Sequence, residues 1–265
     1  MSRIRECFAQ LKARGRTALI PCLVAGDPDL ETTLAAASAL AEGGADIIEL
    51  VVPFSDPMAD GPTIQAAFQR ALAGGTNLTG ILKAVRELKR AVDRPLILMT
   101  YLNPVLRLGL AGFGRTAKEA GVDGVILPEL PVEEADTWRQ VAAAEGLDTI
   151  FLAAPTSGLE RRRAICEAST GFVYAVTLTG TTGARRVLPP DLIQNLEELR
   201  ALSDRPVAAG FGISGPDMVR LLAPHADGLI VGSALVQLMA EGAREEKVRR
   251  VQEAVRALAA ARDAV

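Results

Sequence analysis

Short apolar runs rich in β-branched residues alternate with stretches of helical spacing along the whole chain, and this alternation restricts the fold more than any other feature. The apolar runs predict eight strands, at 17–24, 46–51, 96–100, 124–127, 149–152, 172–176, 207–209 and 228–231. Strands that alternate with helices over about 250 residues are typical of a closed parallel barrel. We therefore predict an α/β protein with a single (β/α)8 TIM-barrel domain over residues 1–265. An open doubly wound sheet has the same local pattern and remains the alternative.

The stretches between the strands are rich in Ala, Leu and Glu. They predict helices at 30–42, 78–91, 112–120, 133–145, 159–168, 190–202, 215–222, 235–239 and 243–262. An extra N-terminal helix is predicted over 3–14, with Ile4, Cys7, Phe8 and Leu11 on one apolar stripe. This helix is well placed to cover the lower end of the barrel.

Charge and cysteine content exclude several classes of protein. The net charge is −3 with both signs interspersed, so we expect neither a nucleic-acid surface nor a membrane-binding face. No apolar run approaches the roughly 20 residues of a membrane span. Cys7, Cys22 and Cys166 are far apart and odd in number, which favours a reducing, cytoplasmic location. His225 is the only histidine, which argues against Ser–His and Cys–His catalysis and most zinc sites.

The strongest catalytic candidate is Glu49, which interrupts the apolar second strand run. An unpaired charge buried there would cost several kcal/mol, so it needs a structural or chemical reason. It could simply close the strand against a backbone amide or an arginine. The following loop is polar and stiffened by prolines, and it adds Asp56 and Asp60. We therefore predict general acid–base catalysis by Glu49 and Asp60, with no metal.

Two glycine-rich segments follow the last two predicted strands, where barrels of this kind often bind phosphate. They are 210–215 and 232–234, and a third, 179–186, is predicted to act as a lid over the ligand. The segment 210–215 also spells G-x-G-x-x-G, but no acidic residue follows about twenty positions later, which argues against nicotinamide binding. No lysine lies at a strand end, so a Schiff-base aldolase is not expected. Tyr101 and Tyr174 are candidates to line the pocket or to donate to a carboxylate.

Several ordered segments resemble the α subunits of tryptophan synthase over essentially the whole length. The matching segments are 18–21, 25–28, 53–65, 99–104, 130–134, 154–157, 171–176, 210–214 and 232–234. The resemblance implies a TIM-barrel lyase of tryptophan biosynthesis that cleaves indole-3-glycerol phosphate to indole and glyceraldehyde 3-phosphate. It also implies an α2β2 heterotetramer in which indole passes to a β subunit that carries pyridoxal phosphate, with no cofactor in this chain.

The same resemblance implies roles for individual residues. Glu49 would move protons during the retro-aldol step, and Asp60 would hold the indole N–H. The other implied contacts are with phosphate at Gly183, Gly212, Gly232 and Ser233, with the pocket at Tyr174, Leu98, Leu127 and Phe211, and with the β subunit at Pro53, Asp56 and Pro57.

The chain departs from the family pattern at four positions. Val51 replaces a usual glycine, Cys22 an aromatic residue, Glu129 an aspartate and Thr181 an apolar residue. Two alternatives remain open. One is a free-standing lyase that releases indole without a partner, and the other is a non-catalytic activator of a β subunit whose own site is blocked by Val51.

Overall fold

The parallel strands close into a barrel. The computed structural model describes residues 1–177, 191–210 and 212–265, and this part of the chain contains nine strands in one sheet of order β5-β4-β3-β2-β1-β9-β8-β7-β6. The strands are β1 (Ala18–Val24), β2 (Ile48–Val51), β3 (Leu96–Met99), β4 (Gly124–Ile126), β5 (Asp148–Ile150), β6 (Leu152–Ala153), β7 (Val173–Val176), β8 (Val207–Gly210) and β9 (Gly228–Val231).

The predicted fifth strand is split in two at Phe151, which explains nine strands where eight were predicted. Its first half, β5, pairs with β4, and its second half, β6, pairs with β7. These two halves are the ends of the sheet order, so the covalent chain joins them and completes the ring. This arrangement confirms the closed barrel and contradicts the open doubly wound sheet.

Helices surround the strands. They are α1 (Arg3–Ala13), α2 (Leu30–Glu42), α3 (Pro62–Ala73), α4 (Leu78–Ala91), α5 (Leu102–Leu108), α6 (Leu110–Ala120), α7 (Asp136–Glu145), α8 (Leu159–Ala168), α9 (Leu192–Leu202), α10 (Pro216–Leu222), α11 (Ser233–Leu238) and α12 (Arg244–Arg262), with 3-10 turns at Val132–Glu134 and Ala223–His225. None of the helices in the described ranges is long and apolar enough to cross a membrane.

Two helices, α3 and α5, were not predicted from the sequence. Helix α3 begins at Pro62. A proline is tolerated in the first turn, because the amide hydrogen that it lacks would have no partner within the helix there. The buried residues of α3 recur with helical spacing after the proline-rich loop, which is the signal that was overlooked. Helix α5 has only seven residues between Tyr101 and Gly109, too few for a periodic pattern to show.

Side chains along each strand alternate between two apolar clusters, as the two-residue period of a strand requires. The inner cluster fills the barrel and includes Ile20, Ile97 and Ile126. The outer cluster lies between strands and helices and includes Leu19 and Leu98. A residue's position in this alternation therefore decides whether it faces the barrel interior.

Helix α1 closes the lower end of the barrel, as predicted. Ile4, Phe8 and Leu11 are buried in the inner cluster, and the Phe8 and Phe172 ring centroids are 5.7 Å apart. Gly124, the first residue of β4, leaves room for this helix, since a Cβ added there would lie 2.7 Å from Ile4 Cδ1.

Aspartates at the starts of strands accept backbone hydrogen bonds from neighbouring strands. Asp46 accepts from the Leu19 amide at 2.9 Å, and Asp123 accepts from the Leu96 amide at 2.9 Å. Asp46 also pairs with the guanidinium of Arg262, whose side chain is 1% exposed. This ion pair fastens the end of α12 to the start of β2.

We expect Arg262→Met to lower the free energy of unfolding by about 3 kcal/mol, because it leaves the Asp46 carboxylate buried without its closest cation. The Arg16 guanidinium, 3.8 Å from Asp46, keeps the loss at the lower end of the range for broken buried pairs. Urea unfolding measures the change. Arg256→Met, at an exposed position of the same helix, is the control and should change stability by less than about 0.5 kcal/mol. Equal losses in both variants would contradict a specific role for the pair.

Candidate active site

Strand β2 carries Glu49 into the barrel interior, where the residue is 1% exposed. In the ladder it lies beside Cys22 of β1 and Ile97 of β3. Both neighbours belong to the inner cluster, so the carboxyl group is surrounded mainly by apolar side chains.

Burial dominates the electrostatics of Glu49. It raises the pKa of the carboxyl to about 7, the negative charge of Asp60 acts in the same direction, and the neighbouring Cys22 thiol opposes the shift. Among the described residues, none forms a hydrogen bond with Glu49 Oε2. The described residues therefore do not support the alternative in which Glu49 is paired with a backbone amide or an arginine. A carboxyl with this pKa exchanges a proton readily near neutral pH.

The second carboxylate, Asp60, is held by a tyrosine. Tyr101 Oη donates a 2.7 Å hydrogen bond to Asp60 Oδ2 and accepts one of 3.0 Å from the Ala59 amide. The Phe54 ring stacks on Tyr101 with centroids 4.9 Å apart. Burial raises the pKa of Asp60, and the Tyr101 hydrogen bond opposes that shift. Tyr101 thus takes the role of donor to a carboxylate.

Burial raises the pKa of Tyr101 itself, and the hydrogen bond to Asp60 adds to the increase. The phenol therefore stays protonated and remains a donor at neutral pH. Gln65 fixes the same loop from the other side, because its Nε2 donates to the Asp60 carbonyl at 2.7 Å.

Glu49 and Asp60 open into one cleft. Apolar walls and a glycine-rich edge bound it. Its lining residues are Cys22, Glu49, Val51, Asp60, Ile64, Met99, Tyr174, Gly212, Ile213, Ser214, Ile230, Gly232, Ser233 and Ala234. The cleft therefore offers two carboxyl groups beside a surface suited to an aromatic ring.

Tyr174 is placed in this cleft by a close approach of two strands. It lies on β7 beside Ala208, is 3% exposed, and packs over Gly210 at the end of β8. A Cβ added at Gly210 would lie 2.3 Å from the tyrosine ring. Any larger residue at this position would displace the ring from the cleft.

Three of the four predicted phosphate contacts fall in the described part of the chain, and all three line the cleft: Gly212, Gly232 and Ser233. Gly212 has φ +78°, a conformation that favours glycine. Ser233 is the first residue of α11, so its amide is one of those that a helix leaves unpaired. Gly183, like the departure Thr181, lies outside the described residues.

Two of the residues predicted to line the pocket face the opposite side of their strands. Leu98 and Leu127 belong to the outer cluster and do not line the cleft. Because side chains alternate along a strand, their neighbours Met99 and Ile126 face inward, and Met99 lines the cleft. Phe211 lies outside the described residues.

The predicted partner loop is exposed only in part. Asp56 is exposed and Pro57 half-buried, whereas Pro53 is buried and can only shape the loop. Met58, which the sequence analysis did not single out, is 76% exposed between them and Asp60.

The departures within the described residues have distinct environments. Val51 and Cys22 both line the cleft. Glu129 accepts a hydrogen bond from the Leu102 amide at the start of α5, so it holds the chain just after Tyr101. A longer acid than the usual aspartate thus serves a positional role there.

Comparisons with known proteins agree on one family. The chain matches the family described as tryptophan synthase alpha chain over residues 8–263. It is 49% identical to the tryptophan synthase alpha chain of Gloeobacter violaceus over 97% of this chain and 93% of the relative. It is also 49% identical to that of Geobacter sulfurreducens, over 97% and 98%.

Solved structures give the same result. A structure of Mycobacterium tuberculosis tryptophan synthase has a TM-score of 0.90 at 42% identity, covering 98% of both chains. The alpha subunit from Legionella pneumophila str. Paris has a TM-score of 0.93 at 37% identity, covering 100% of both chains. With the barrel and both carboxyl groups in place, these matches show that the chain belongs to the tryptophan synthase alpha chain family.

Proposed function

We propose that Glu49 and Asp60 are the acid–base pair with which this chain cleaves indole-3-glycerol phosphate to indole and glyceraldehyde 3-phosphate. The observation that carries the proposal is the pair of buried carboxyl groups in one cleft. Their environments differ: Glu49 has a pKa near neutrality, and Asp60 is bound by a phenol. Two carboxyl groups in unlike environments suit one proton-transfer role and one charge-stabilising role.

Each proton can be accounted for. Protonated Glu49 gives its proton to the ring carbon that bears the side chain, and positive charge develops on the indole nitrogen. Asp60 accepts a hydrogen bond from the indole N–H and stabilises that charge. As the carbon–carbon bond breaks, its electron pair returns to the ring. The side-chain hydroxyl becomes the aldehyde, and its proton passes back to Glu49. A carboxyl of pKa about 7 suits both transfers.

The remaining cleft residues position the substrate. Gly212, Gly232 and Ser233, with Gly183, are proposed to bind the phosphate through backbone amides and a hydroxyl. Tyr174 and the apolar side chains are proposed to contact the indole ring. Val51 lies in the wall of the same cleft, beside the side chains proposed to contact the ring.

The proposed partner is a tryptophan synthase β subunit in an α2β2 assembly, with Asp56 and Pro57 among the contacts. The exposure of Asp56 and Met58 beside the Asp60 loop supports a contact there. Pyridoxal phosphate would belong to the β subunit, and we propose no cofactor for this chain. Three free cysteines support a reducing compartment such as the cytoplasm.

Glu49→Gln should reduce indole release by about 10²- to 10⁴-fold, since the amide keeps the shape but cannot exchange the proton. Indole release from indole-3-glycerol phosphate, by the chain alone and with added β subunit, measures the effect. The variant should still bind and stimulate the β subunit, which controls for misfolding. Near-normal release would contradict the proposed role of Glu49. Fast wild-type release that ignores the partner would favour the free-standing lyase.

The value of kcat/KM should fall as pH rises through about 7. Glu49 must begin protonated, and the protonated fraction of a group with that pKa declines tenfold per unit above it. A pH profile at constant ionic strength tests this expectation. A profile that stays flat to pH 9 would show that the starting form of Glu49 is not the acid.

Tyr101→Phe should move the acidic limb of the same profile to higher pH, because it removes the hydrogen bond that opposes the rise in the Asp60 pKa. We also expect kcat to fall by roughly tenfold, since Asp60 loses the group that orients it. Phe54→Leu is the matched control, because it removes the ring stacked on Tyr101 and keeps the phenol. A limb that moves equally in both variants would point to packing and not to the hydrogen bond.

A further inference from the structure

We propose that Cys22 is a positioning residue whose thiol donates a hydrogen bond to one oxygen of Glu49 and thereby presents the other oxygen to the substrate. The inference rests on the proposed function of Glu49. It assigns a role to a residue that stands where the family usually has a larger, aromatic side chain.

Ladder geometry places the two side chains together. Cys22 and Glu49 are direct partners in the pairing of β1 with β2, so both project from the same face of the sheet into the barrel. Cys22 is 5% exposed and Glu49 1%, and both line the cleft. The proximity of the two side chains is therefore set by the backbone of two paired strands.

Gly232, in the glycine-rich edge of the cleft, lies close to the thiol. A Cβ built at Gly232 would lie 3.6 Å from both Cβ and Sγ of Cys22. The thiol thus lies between the catalytic carboxyl and the edge proposed to bind phosphate. A small side chain fits this position.

The protonation states agree with the direction of the hydrogen bond. Burial raises the pKa of Cys22 well above its usual range, and the neighbouring Glu49 charge adds to the increase. The thiol therefore keeps its proton and is the donor. Of the two Glu49 oxygens, Oε2 has no hydrogen-bond partner among the described residues, so it is the atom available for proton transfer.

Within the described ranges, three titratable groups face Glu49 from the elements packed around it. They are Cys22 on β1, Asp60 before α3 and Tyr174 on β7, and Tyr101 acts on the group through Asp60. Asp60 raises the pKa of Glu49, whereas Cys22 lowers it. Removing the thiol should therefore shift the Glu49 titration upward and leave the other charges in place.

The test compares kcat and KM across pH for the wild type, Cys22→Ala, Cys22→Ser and Cys166→Ala. Cys22→Ala should move the alkaline limb of kcat/KM upward by roughly half a unit to one unit and lower kcat by roughly tenfold with little change in KM. Cys22→Ser keeps a donor and should restore the wild-type limb. Cys166→Ala, at a buried thiol on α8, should match the wild type.

Infrared difference spectroscopy across pH follows the band of the protonated carboxyl group, which is assigned to Glu49 by its loss in Glu49→Gln. It measures the shift in the Glu49 titration without depending on enzyme activity. It therefore remains informative if a variant is a poor catalyst. If neither the carboxyl band nor the alkaline limb of kcat/KM shifts in Cys22→Ala, the proposed role of Cys22 is overturned. The same conclusion follows if Cys22→Ser shifts them as much as Cys22→Ala does. In both cases the proposed role of Glu49 is unaffected. A wild type without any alkaline limb or titrating band near pH 7 would overturn the acid–base role of Glu49 and this inference with it.

Discussion

The desolvation of one carboxyl group is the constraint on which the rest of the site depends. Glu49 lies on a central strand inside an apolar barrel, where an ionised carboxylate is costly. The protein meets this cost by letting the group hold its proton near neutral pH and by placing the Cys22 thiol beside it. A stronger cationic partner would stabilise the fold but fix the charge. The site thus trades stability for a group that can give and take a proton.

Local patterns were sufficient for the strands and most helices, because their signals lie within a few consecutive residues. The inward or outward direction of a side chain was harder to predict. Leu98 and Leu127 were assigned to the pocket by resemblance, yet each lies one position away from an inward-facing residue. A shift of one residue reverses the face in a strand. The break at Phe151 also has no sequence signal, since it depends on which neighbour each half meets.

For the site, the sequence indicated candidate acid–base groups but not the side chains that lie next to them. Glu49 and Asp60 could be chosen as candidates because a charge in an apolar run and a stiff polar loop are local anomalies. The hydrogen bond from Tyr101 to Asp60 joins residues 41 positions apart. The contact of Cys22 with Glu49 depends on strand register. Such pairings exist only after the barrel has closed, so no local pattern contains them.

The closure of the lower end by α1 has a consequence for how the chain folds. Phe8 packs against Phe172, and β1 pairs with β9 as well as with β2, so part of this surface finds its partners far along the chain. The Arg262–Asp46 pair spans 216 positions. Closing such long loops is entropically expensive and slow. On a ribosome, helix α1 and the edge of β1 that faces β9 must wait until β7 and β9 have emerged, and their apolar surfaces then need protection from aggregation.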